Sequence, residues 1–215
     1  MKNIKVAPSL LSADFAKMAD EVARIEVAGA DLLHLDVMDG VFVPNITFGP
    51  KMVKDIKKCA KQPLDVHLMI VNPAKYADAF MDAGADILSY HIEAEKDKSL
   101  IQKIKARGIK CGLVISPDTP IIELKDYIAD VDVITLMSVY PGFGGQKYLE
   151  NATERMRELK KLRDELNPNC ALEIDGGITA DNANIAIEAG AEILVAGSAV
   201  FGAKDPALVI AKIKM

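Results

Sequence analysis

AGADLLHLD, at residues 28–36, decides the fold, because variants of this stretch recur along the chain. AGADILSYH occupies residues 83–91, AGAEILVAG occupies residues 189–197, and a weaker relative, ADVDVITLM, occupies residues 129–137. Each strong copy combines the end of a helix, a glycine that can stop it, and a short apolar run typical of a buried strand. The repeat predicts a chain built from successive helix and strand units.

Other apolar runs lie between the repeats and complete a set of eight expected strands. They are IKVAPSL from residue 4, PLDVHLM from residue 63, IKCGLVIS from residue 109 and CALEID from residue 170. The stretches between strands carry helical periodicity, as in SADFAKMADEVARIEVAG, where Ser12 can cap a helix and Gly29 can end it. We therefore expect strands and helices to alternate throughout.

Alternating strands and helices, with strands that are apolar almost throughout, predict a parallel sheet covered by helices. Eight units in 215 residues favour a closed (β/α)₈ barrel of the TIM type over an open doubly wound sheet, which would leave two edge strands. Single barrels reach this length, and neither a linker nor a shift in composition divides the chain. We expect residues 1–215 to form one domain.

Composition narrows the classes of function. The formal charge of −5 is modest and no dense run of Lys and Arg is present, so a nucleic-acid partner is not expected. The sequence also lacks an apolar signal segment and any long apolar stretch, which predicts a cytoplasmic protein without membrane association. The wide spacing of Cys59, Cys111 and Cys170 is typical of buried thiols rather than of a disulfide framework.

Polar residues cluster at the expected ends of strands, and in a barrel these ends form the mouth that carries the chemistry. His34 and Asp36 are two residues apart, so they point to the same side of their strand. Together with His67 and Asp175 they offer two imidazoles and two carboxylates. This set suits one divalent ion, with Zn²⁺ as first choice and Fe²⁺, Mn²⁺ or Co²⁺ as alternatives, and is poor for Ca²⁺.

The functions of several other residues near strand ends stay open at this point. His91 could be an outer partner of the metal site, a substrate contact or a residue of the rim. Met38, Met69 and Met137 could fill the core or form a soft cap that keeps water from the site. Each of these alternatives depends on where the side chain lies.

Three glycine-rich loops predict a phosphate site, because backbone N–H groups can approach an anion where no side chain intervenes. The segments are MSVYPGFGGQ from residue 137, DGGI from residue 175 and AGSAVF from residue 196. The last two follow the seventh and eighth expected strands, where barrels of this type often hold phosphate. A plain helix cap remains the alternative function of Ser198.

A phosphate anchor beside a metal with two carboxylates predicts a site for a phosphorylated ketose. A metal can stabilise the enediolate formed when the proton next to the carbonyl is lost, and a carboxylate can act as the base. If Asp36 and Asp175 lie on opposite faces of that carbon, one can remove a proton and the other return it, which inverts the stereocentre. Either aspartate could instead serve only as a ligand.

The chain resembles the ribulose-phosphate 3-epimerase family in a series of ordered motifs. These are APSLLSADF from residue 7, HLDVMDGVFVPNITFGP from residue 34, DVHLM from residue 65, MSVYPGFGGQ from residue 137, EIDGGI from residue 173 and AGSAVF from residue 196. The resemblance implies a metal-dependent barrel of the ribulose-phosphate-binding type that interconverts D-ribulose 5-phosphate and D-xylulose 5-phosphate. It also leads us to expect a homo-oligomer.

The resemblance further assigns residue roles. Asp36 and Asp175 match the proton acceptor and donor in one direction, and both match metal ligands together with His34 and His67. The matching substrate contacts are Ser9, His67, Gly142, Phe143, Gly144, Gly145, Gly176, Gly177, Gly197 and Ser198, and the matching methionine cap is Met38, Met69 and Met137. Tyr140 departs from the family, which often has a smaller polar residue there.

Three rival functions share this pattern. The first is the epimerase of a six-carbon substrate, D-allulose 6-phosphate, on which close relatives act. The second is a phosphosugar lyase or decarboxylase, but the group that resembles this chain carries a lysine in a DxKxxD pattern where this chain has His67. The third is a barrel that binds a phosphosugar without turning it over, which would need the glycine loops but no carboxylate pair.

Overall fold

The computed structural model describes residues 4–215, and in this range it confirms one sheet of eight parallel strands. The strands are β1 (Lys5–Pro8), β2 (Leu33–Met38), β3 (Leu64–Met69), β4 (Ile87–His91), β5 (Lys110–Ile115), β6 (Val133–Met137), β7 (Ala171–Asp175) and β8 (Ile193–Ala196). Seven adjacent pairs form regular parallel ladders, from β1 with β8 around to β3 with β2. The predicted barrel is therefore the observed architecture.

The remaining junction, between β1 and β2, is a seam held by few contacts. An isolated parallel bridge pairs Ser9 with His34. At the other end of the strands, the Asp31 N–H donates to the Val6 carbonyl over 3.0 Å, and the Val6 N–H donates to an Asp31 carboxylate oxygen over 2.8 Å. These contacts complete the ring without a ladder.

Helices cover the outside of the barrel. They are α1 (Met18–Val27), α2 (Pro50–Cys59), α3 (Pro73–Ala83), α4 (Ser99–Ala106), α5 (Ala152–Leu166), α6 (Ala183–Ala189), α7 (Ser198–Phe201) and α8 (Pro206–Ile213). The connection from β5 to β6 departs from the expected alternation, because two short 3₁₀ helices, Ile121–Leu124 and Ile128–Asp130, stand in place of an α-helix.

The acidic residue of the repeated sequence has a structural role. Asp31, Asp86 and Asp132 each precede an even-numbered strand, and each carboxylate accepts a backbone N–H at the start of the strand before it. The donors for the last two are Leu64 and Cys111, at 2.7 and 2.9 Å. The acidic side chain thus satisfies an otherwise unpaired donor at the amino end of the barrel.

One expectation about local helix structure is wrong. A helix capped by Ser12 does not form, because residues 10–17 make two 3₁₀ turns and α1 begins only at Met18. The side chains of Ser9 and Asp14 cap these turns by accepting the N–H groups of Leu11 and Ala16. Local hydrogen bonds from short polar side chains therefore compete successfully with helix formation in this segment.

The expectation of buried thiols holds for two cysteines and is wrong for the third. Cys111 and Cys170 are buried, whereas Cys59 is exposed at the end of α2. Cys59 is the last residue of this amphipathic helix, beyond its buried positions Val53 and Ile56. In the part of the chain from residue 4 onward, no helix combines the length and the apolarity needed to cross a bilayer.

Candidate metal centre and active site

Four predicted ligands meet inside the barrel. His34 and Asp36 come from β2, His67 from β3 and Asp175 from the end of β7, and all four are buried. One ligand atom of each side chain lies within 4.8 Å of the corresponding atoms of the others. The histidines and Asp36 lie within their strands rather than at the expected strand ends, because β2 and β3 continue to Met38 and Met69.

The distances between these ligand atoms suit a small divalent ion. Oδ1 of Asp36 lies 3.4 Å from both His34 Nε2 and His67 Nδ1, and Oδ2 of Asp175 lies 3.7 Å from the same two nitrogens. Ligands about 2.0–2.2 Å from a tetrahedral ion are about 3.3–3.6 Å apart. Both nitrogens are buried and lack hydrogen-bond partners among the described residues. The donor set, spacing and unpaired nitrogens fit a bound Zn²⁺ or similar ion.

A buried carboxylate fixes the ring of His34. Its Nδ1 donates to Oδ2 of Asp65 over 2.7 Å, which leaves Nε2 free to face the cluster. Glu173 lies beyond Asp65 and accepts a hydrogen bond of 2.9 Å from the Thr135 hydroxyl. Such carboxylate partners orient histidine ligands in many metal sites.

A second chain of polar groups leads from His67 to the edge of the barrel. Its Nε2 lies 2.9 Å from Nε2 of His91, and Nδ1 of His91 lies 3.1 Å from Oε2 of Glu93. His91 is completely buried, so a position on the rim is excluded. Of the functions left open for His91, its contacts support that of an outer partner of the metal site.

The two aspartates have opposite electrostatic environments in the metal-free site. Burial raises the pKa of Asp175 to about 7, and the charge of Asp36 adds to this effect. Burial acts in the same direction on Asp36, but His34 outweighs it and lowers the pKa of Asp36. Burial opposes charging of His34 as well, yet Asp36 and Asp65 hold its pKa well above the ordinary value. Asp36 is thus the more readily ionised carboxyl group.

The outer groups also have shifted pKa values. Burial lowers the pKa of His67, and it lowers that of His91 to about 4. Burial would raise the pKa of Glu93, but hydrogen bonds from His91 and Thr119 outweigh it and lower this pKa to about 2. At neutral pH, Glu93 is therefore a carboxylate next to an uncharged His91.

A cavity of about 480 Å³ opens above the four ligands. The predicted residues on its wall are Ser9, Asp36, Met38, Met69, Met137, Gly142, Phe143, Gly144, Gly145, Asp175, Gly176, Gly177, Gly197 and Ser198. The three methionines are almost completely buried and still border the cavity, so their apolar side chains form part of its wall. The histidine ligands lie deeper and have no exposed surface.

Glycine is required at two neighbouring positions of the cavity wall. Gly176 and Gly177 follow β7 with φ values of +118° and +65°. A methyl group at Gly177 would lie 2.4 Å from the backbone nitrogen of Tyr148, and one at Gly176 would lie 2.3 Å from the Val139 side chain. At Gly177 the loop after β7 therefore packs directly against the backbone of the loop after β6.

Sequence reasoning missed Asp65, Glu173 and Glu93 as parts of the site. Asp65 and Glu173 stand two residues before His67 and Asp175, so strand alternation places each acid on the same face as the predicted ligand. That signal was available in DVHLM and EIDGGI. Sequence reasoning missed Glu93 because this residue lies beyond the end of β4, where strand alternation no longer determines the direction of a side chain.

Comparisons with known proteins agree with this geometry. The model of the family described as "Ribulose-phosphate 3 epimerase family" matches residues 5–201. The ribulose-phosphate 3-epimerase of Bacillus subtilis is 48% identical, with 98% of each chain covered. The chloroplastic ribulose-5-phosphate-3-epimerase of Arabidopsis thaliana is also 48% identical, with 99% of this chain and 76% of the plant protein covered.

Solved structures with the same fold are more distant in sequence. The 3-hexulose-6-phosphate synthase of Salmonella typhimurium superposes with a TM-score of 0.71 at 17% identity, with 98% of this chain and 97% of the synthase covered. N-(5'-phosphoribosyl)anthranilate isomerase of Pyrococcus furiosus gives a TM-score of 0.65 at 15% identity, with 98% of this chain and 96% of the isomerase covered. At these identities the likeness establishes the barrel and carries no information about the reaction.

Proposed function

The chain belongs to the ribulose-phosphate 3-epimerase family, and from this premise we propose that it interconverts D-ribulose 5-phosphate and D-xylulose 5-phosphate. The observation that carries the proposal is the pair of aspartates at one point of the cavity. Asp36 and Asp175 come from well-separated strands, and their environments move their pKa values in opposite directions. Such pairs mark the base and the acid of a proton transfer.

In the proposed reaction, Asp36 removes the proton from C3 of the substrate and Asp175 delivers a proton to the opposite face. Asp36 suits the first role because its carboxyl group ionises readily. The Ser9 hydroxyl donates to Oδ2 of Asp36 over 2.5 Å, which holds the carboxylate in position. Asp175 is placed for the second role because it reaches the same cavity from β7, a strand well separated from the β2 strand that carries Asp36. In the reverse direction the two roles exchange.

His34, Asp36, His67 and Asp175 are the residues that would hold a divalent ion. When bound, such an ion supplies positive charge that stabilises the negative charge developing on the substrate oxygens. Zn²⁺ is our first choice because four-coordinate sites of histidine and carboxylate are typical of it, with Fe²⁺, Mn²⁺ and Co²⁺ as alternatives.

The phosphate group would lie at the glycine loops on the other side of the cavity. Gly142, Phe143, Gly144 and Gly145 belong to the loop after β6, and Gly197 and Ser198 follow β8. Gly197 is tightly packed, because a methyl group there would lie 2.6 Å from the Ser12 hydroxyl. These loops bring main-chain groups close to the cavity, and main-chain N–H groups are suitable donors to phosphate.

Solvent exchange tests the proposed activity directly. Purified protein loaded with Zn²⁺ should incorporate deuterium at C3 of D-ribulose 5-phosphate in deuterated water, and D-xylulose 5-phosphate should form at the same time. Proton NMR measures both. Binding of the sugar phosphate without exchange would favour a non-catalytic phosphosugar-binding barrel and would refute the epimerase proposal.

Substrate length is tested in the same assay. We expect a higher kcat/KM for D-ribulose 5-phosphate than for the six-carbon D-allulose 6-phosphate, as the names of the curated relatives suggest. Tyr140 lines the cavity and donates to Asp118 over 2.9 Å, so it is the departure from the family most able to affect this ratio. A larger kcat/KM for the six-carbon sugar would reassign the substrate and keep the reaction type.

The homo-oligomer also stays a prediction, which light scattering can check.

Metal affinity should rise with pH. Below a pH of about 7, Asp175 of the metal-free site carries a proton that an incoming ion must displace. One such group makes the apparent affinity rise about tenfold between roughly pH 6 and pH 8, and the raised pKa of His34 increases this slope. Competition with a chromophoric chelator, corrected for its own protonation, measures the change. An affinity independent of pH in this range would contradict the prediction.

A further inference from the structure

The chain of hydrogen bonds behind His67 has only one consistent direction. His67 presents Nδ1 to Asp36 and Asp175, so this nitrogen must keep its lone pair if the residue is to bind an ion. A neutral imidazole carries one proton, which must then be on Nε2. Nε2 of His67 therefore donates to Nε2 of His91 across the 2.9 Å contact.

The same argument fixes the next ring. Because Nε2 of His91 accepts, the proton of His91 is on Nδ1. That nitrogen faces Oε2 of Glu93 at 3.1 Å and the Ser116 hydroxyl at 3.2 Å, and both oxygens can accept. Two imidazole rings and one carboxylate thus form an ordered series in which each proton has one position.

Glu93 is held firmly at the outer end of this series. Its other oxygen, Oε1, accepts the Ser116 N–H over 2.9 Å and the Thr119 hydroxyl over 2.5 Å. Arg155 fixes this loop from α5 by donating to the carbonyls of Ser116 and Thr119 over 3.0 and 2.8 Å. The carboxylate is therefore anchored independently of His91.

Ring packing supports the same arrangement. The planes of the His67 and His91 rings are 25° apart and their centroids are separated by 5.0 Å, as expected when two imidazoles meet edge to edge across the 2.9 Å contact between their Nε2 atoms. The Phe42 ring packs against His91 with its centroid 4.7 Å away. Neither histidine has exposed surface. Burial and the contact with Phe42 hold the His91 ring in place, with its Nε2 facing Nε2 of His67.

We propose that His91 and Glu93 are positioning residues, which hold His67 in the tautomer and orientation that bind the divalent ion. This inference rests on the metal site of the proposed function but not on turnover. Loss of an outer hydrogen-bond partner of a histidine ligand typically weakens metal affinity about 10–100-fold. The effect should reach the ion through His67 alone, since His34 has its own partner in Asp65.

Co²⁺ binding to the metal-free protein, followed by its visible absorption and by competition with a chelator, tests this role without substrate. His91→Phe keeps a planar ring but removes both nitrogens, and we expect affinity to fall about 10–100-fold with an altered Co²⁺ spectrum. His91→Gln can still accept from His67 and should restore most of the affinity. Glu93→Ala should weaken binding in the same direction without changing the buried rings.

Ser89→Ala is the matched control, because Ser89 is buried on β4 two residues before His91 and its hydroxyl has no partner among the described residues. This variant should bind Co²⁺ like the parent. Circular dichroism of the metal-free proteins checks folding, and Glu93→Ala decides the matter if His91→Phe does not fold. Parent-like affinity and spectrum in His91→Phe or Glu93→Ala, or no recovery in His91→Gln, would overturn the proposal. A parent protein that binds Co²⁺ but does not epimerise would refute the proposed function and leave this inference standing.

Discussion

Asp175→Asn should lower kcat for epimerisation by about 10³-fold or more, which is the largest effect we expect from a single substitution. Asparagine has the same shape but cannot transfer a proton, and its amide is a weaker ligand for a divalent ion. The fold should survive, because burial raises the pKa of the Asp175 carboxyl group and so favours an uncharged group at this position. Epimerisation is measured by proton NMR, and binding of inorganic phosphate, which should be retained, is measured by calorimetry.

Asp181→Asn provides the control for this experiment. Asp181 follows the same strand and is exposed, and it does not line the cavity. It should retain parent activity. An Asp175→Asn protein with more than about a tenth of the parent kcat would exclude Asp175 from proton transfer. Loss of folded structure would instead make Asp175 a structural residue.

Gly177→Ala should damage both stability and substrate binding. The new methyl group would lie 2.4 Å from the backbone nitrogen of Tyr148 and 2.9 Å from the carbonyl of Gln146, so the loops after β6 and β7 must separate. This clash and the strain of a side chain at φ +65° should together lower the free energy of unfolding by about 2–5 kcal/mol. KM for the ketose phosphate should rise about tenfold or more, because phosphate is expected at these loops.

Gly108→Ala is the control that separates backbone strain from the steric clash expected in Gly177→Ala. Gly108 has a similar φ of +72° in the turn before β5, but a methyl group there has no neighbouring atom within 4 Å. This variant should lose only about 1–2 kcal/mol and keep its KM. Denaturant unfolding and steady-state kinetics compare the two proteins. Equal stabilities, or an unchanged KM in Gly177→Ala, would contradict the predicted packing of the loops.

The clustering of His34, Asp36, His67 and Asp175 could be predicted from sequence because strand geometry is simple. Residues two apart on a strand share a face, so His34 and Asp36 had to point together, and parallel strands bring their carboxyl ends to one mouth. The same reasoning gave the eight strands and the glycine loops around the cavity. It needed no knowledge of the connecting segments, whose bounds differ most from the expectation.

The remaining features depend on three-dimensional contacts that spacing does not encode. Residues 10–17 form 3₁₀ turns because the side chains of Ser9 and Asp14 accept nearby N–H groups, although the periodicity also suits a helix. His91 is buried and its ring contacts Phe42, which comes from a loop distant in sequence. Glu93 joined the site through contacts with Ser116 and Thr119 on the following strand's loop.

The seam between β1 and β2 bears on how the enzyme is assembled during protein synthesis. β1 pairs along its length with β8, the last of the eight barrel strands to be made, whereas in residues 4–215 a single isolated bridge, between Ser9 and His34, links the β1 and β2 segments. The ribosome must therefore produce all eight strands before the first strand gains its ladder partner. Ser9, which follows β1 and holds Asp36, is then fixed only at the end. A nascent chain that ends before β8 would already contain the four proposed ligands but would lack a complete catalytic centre.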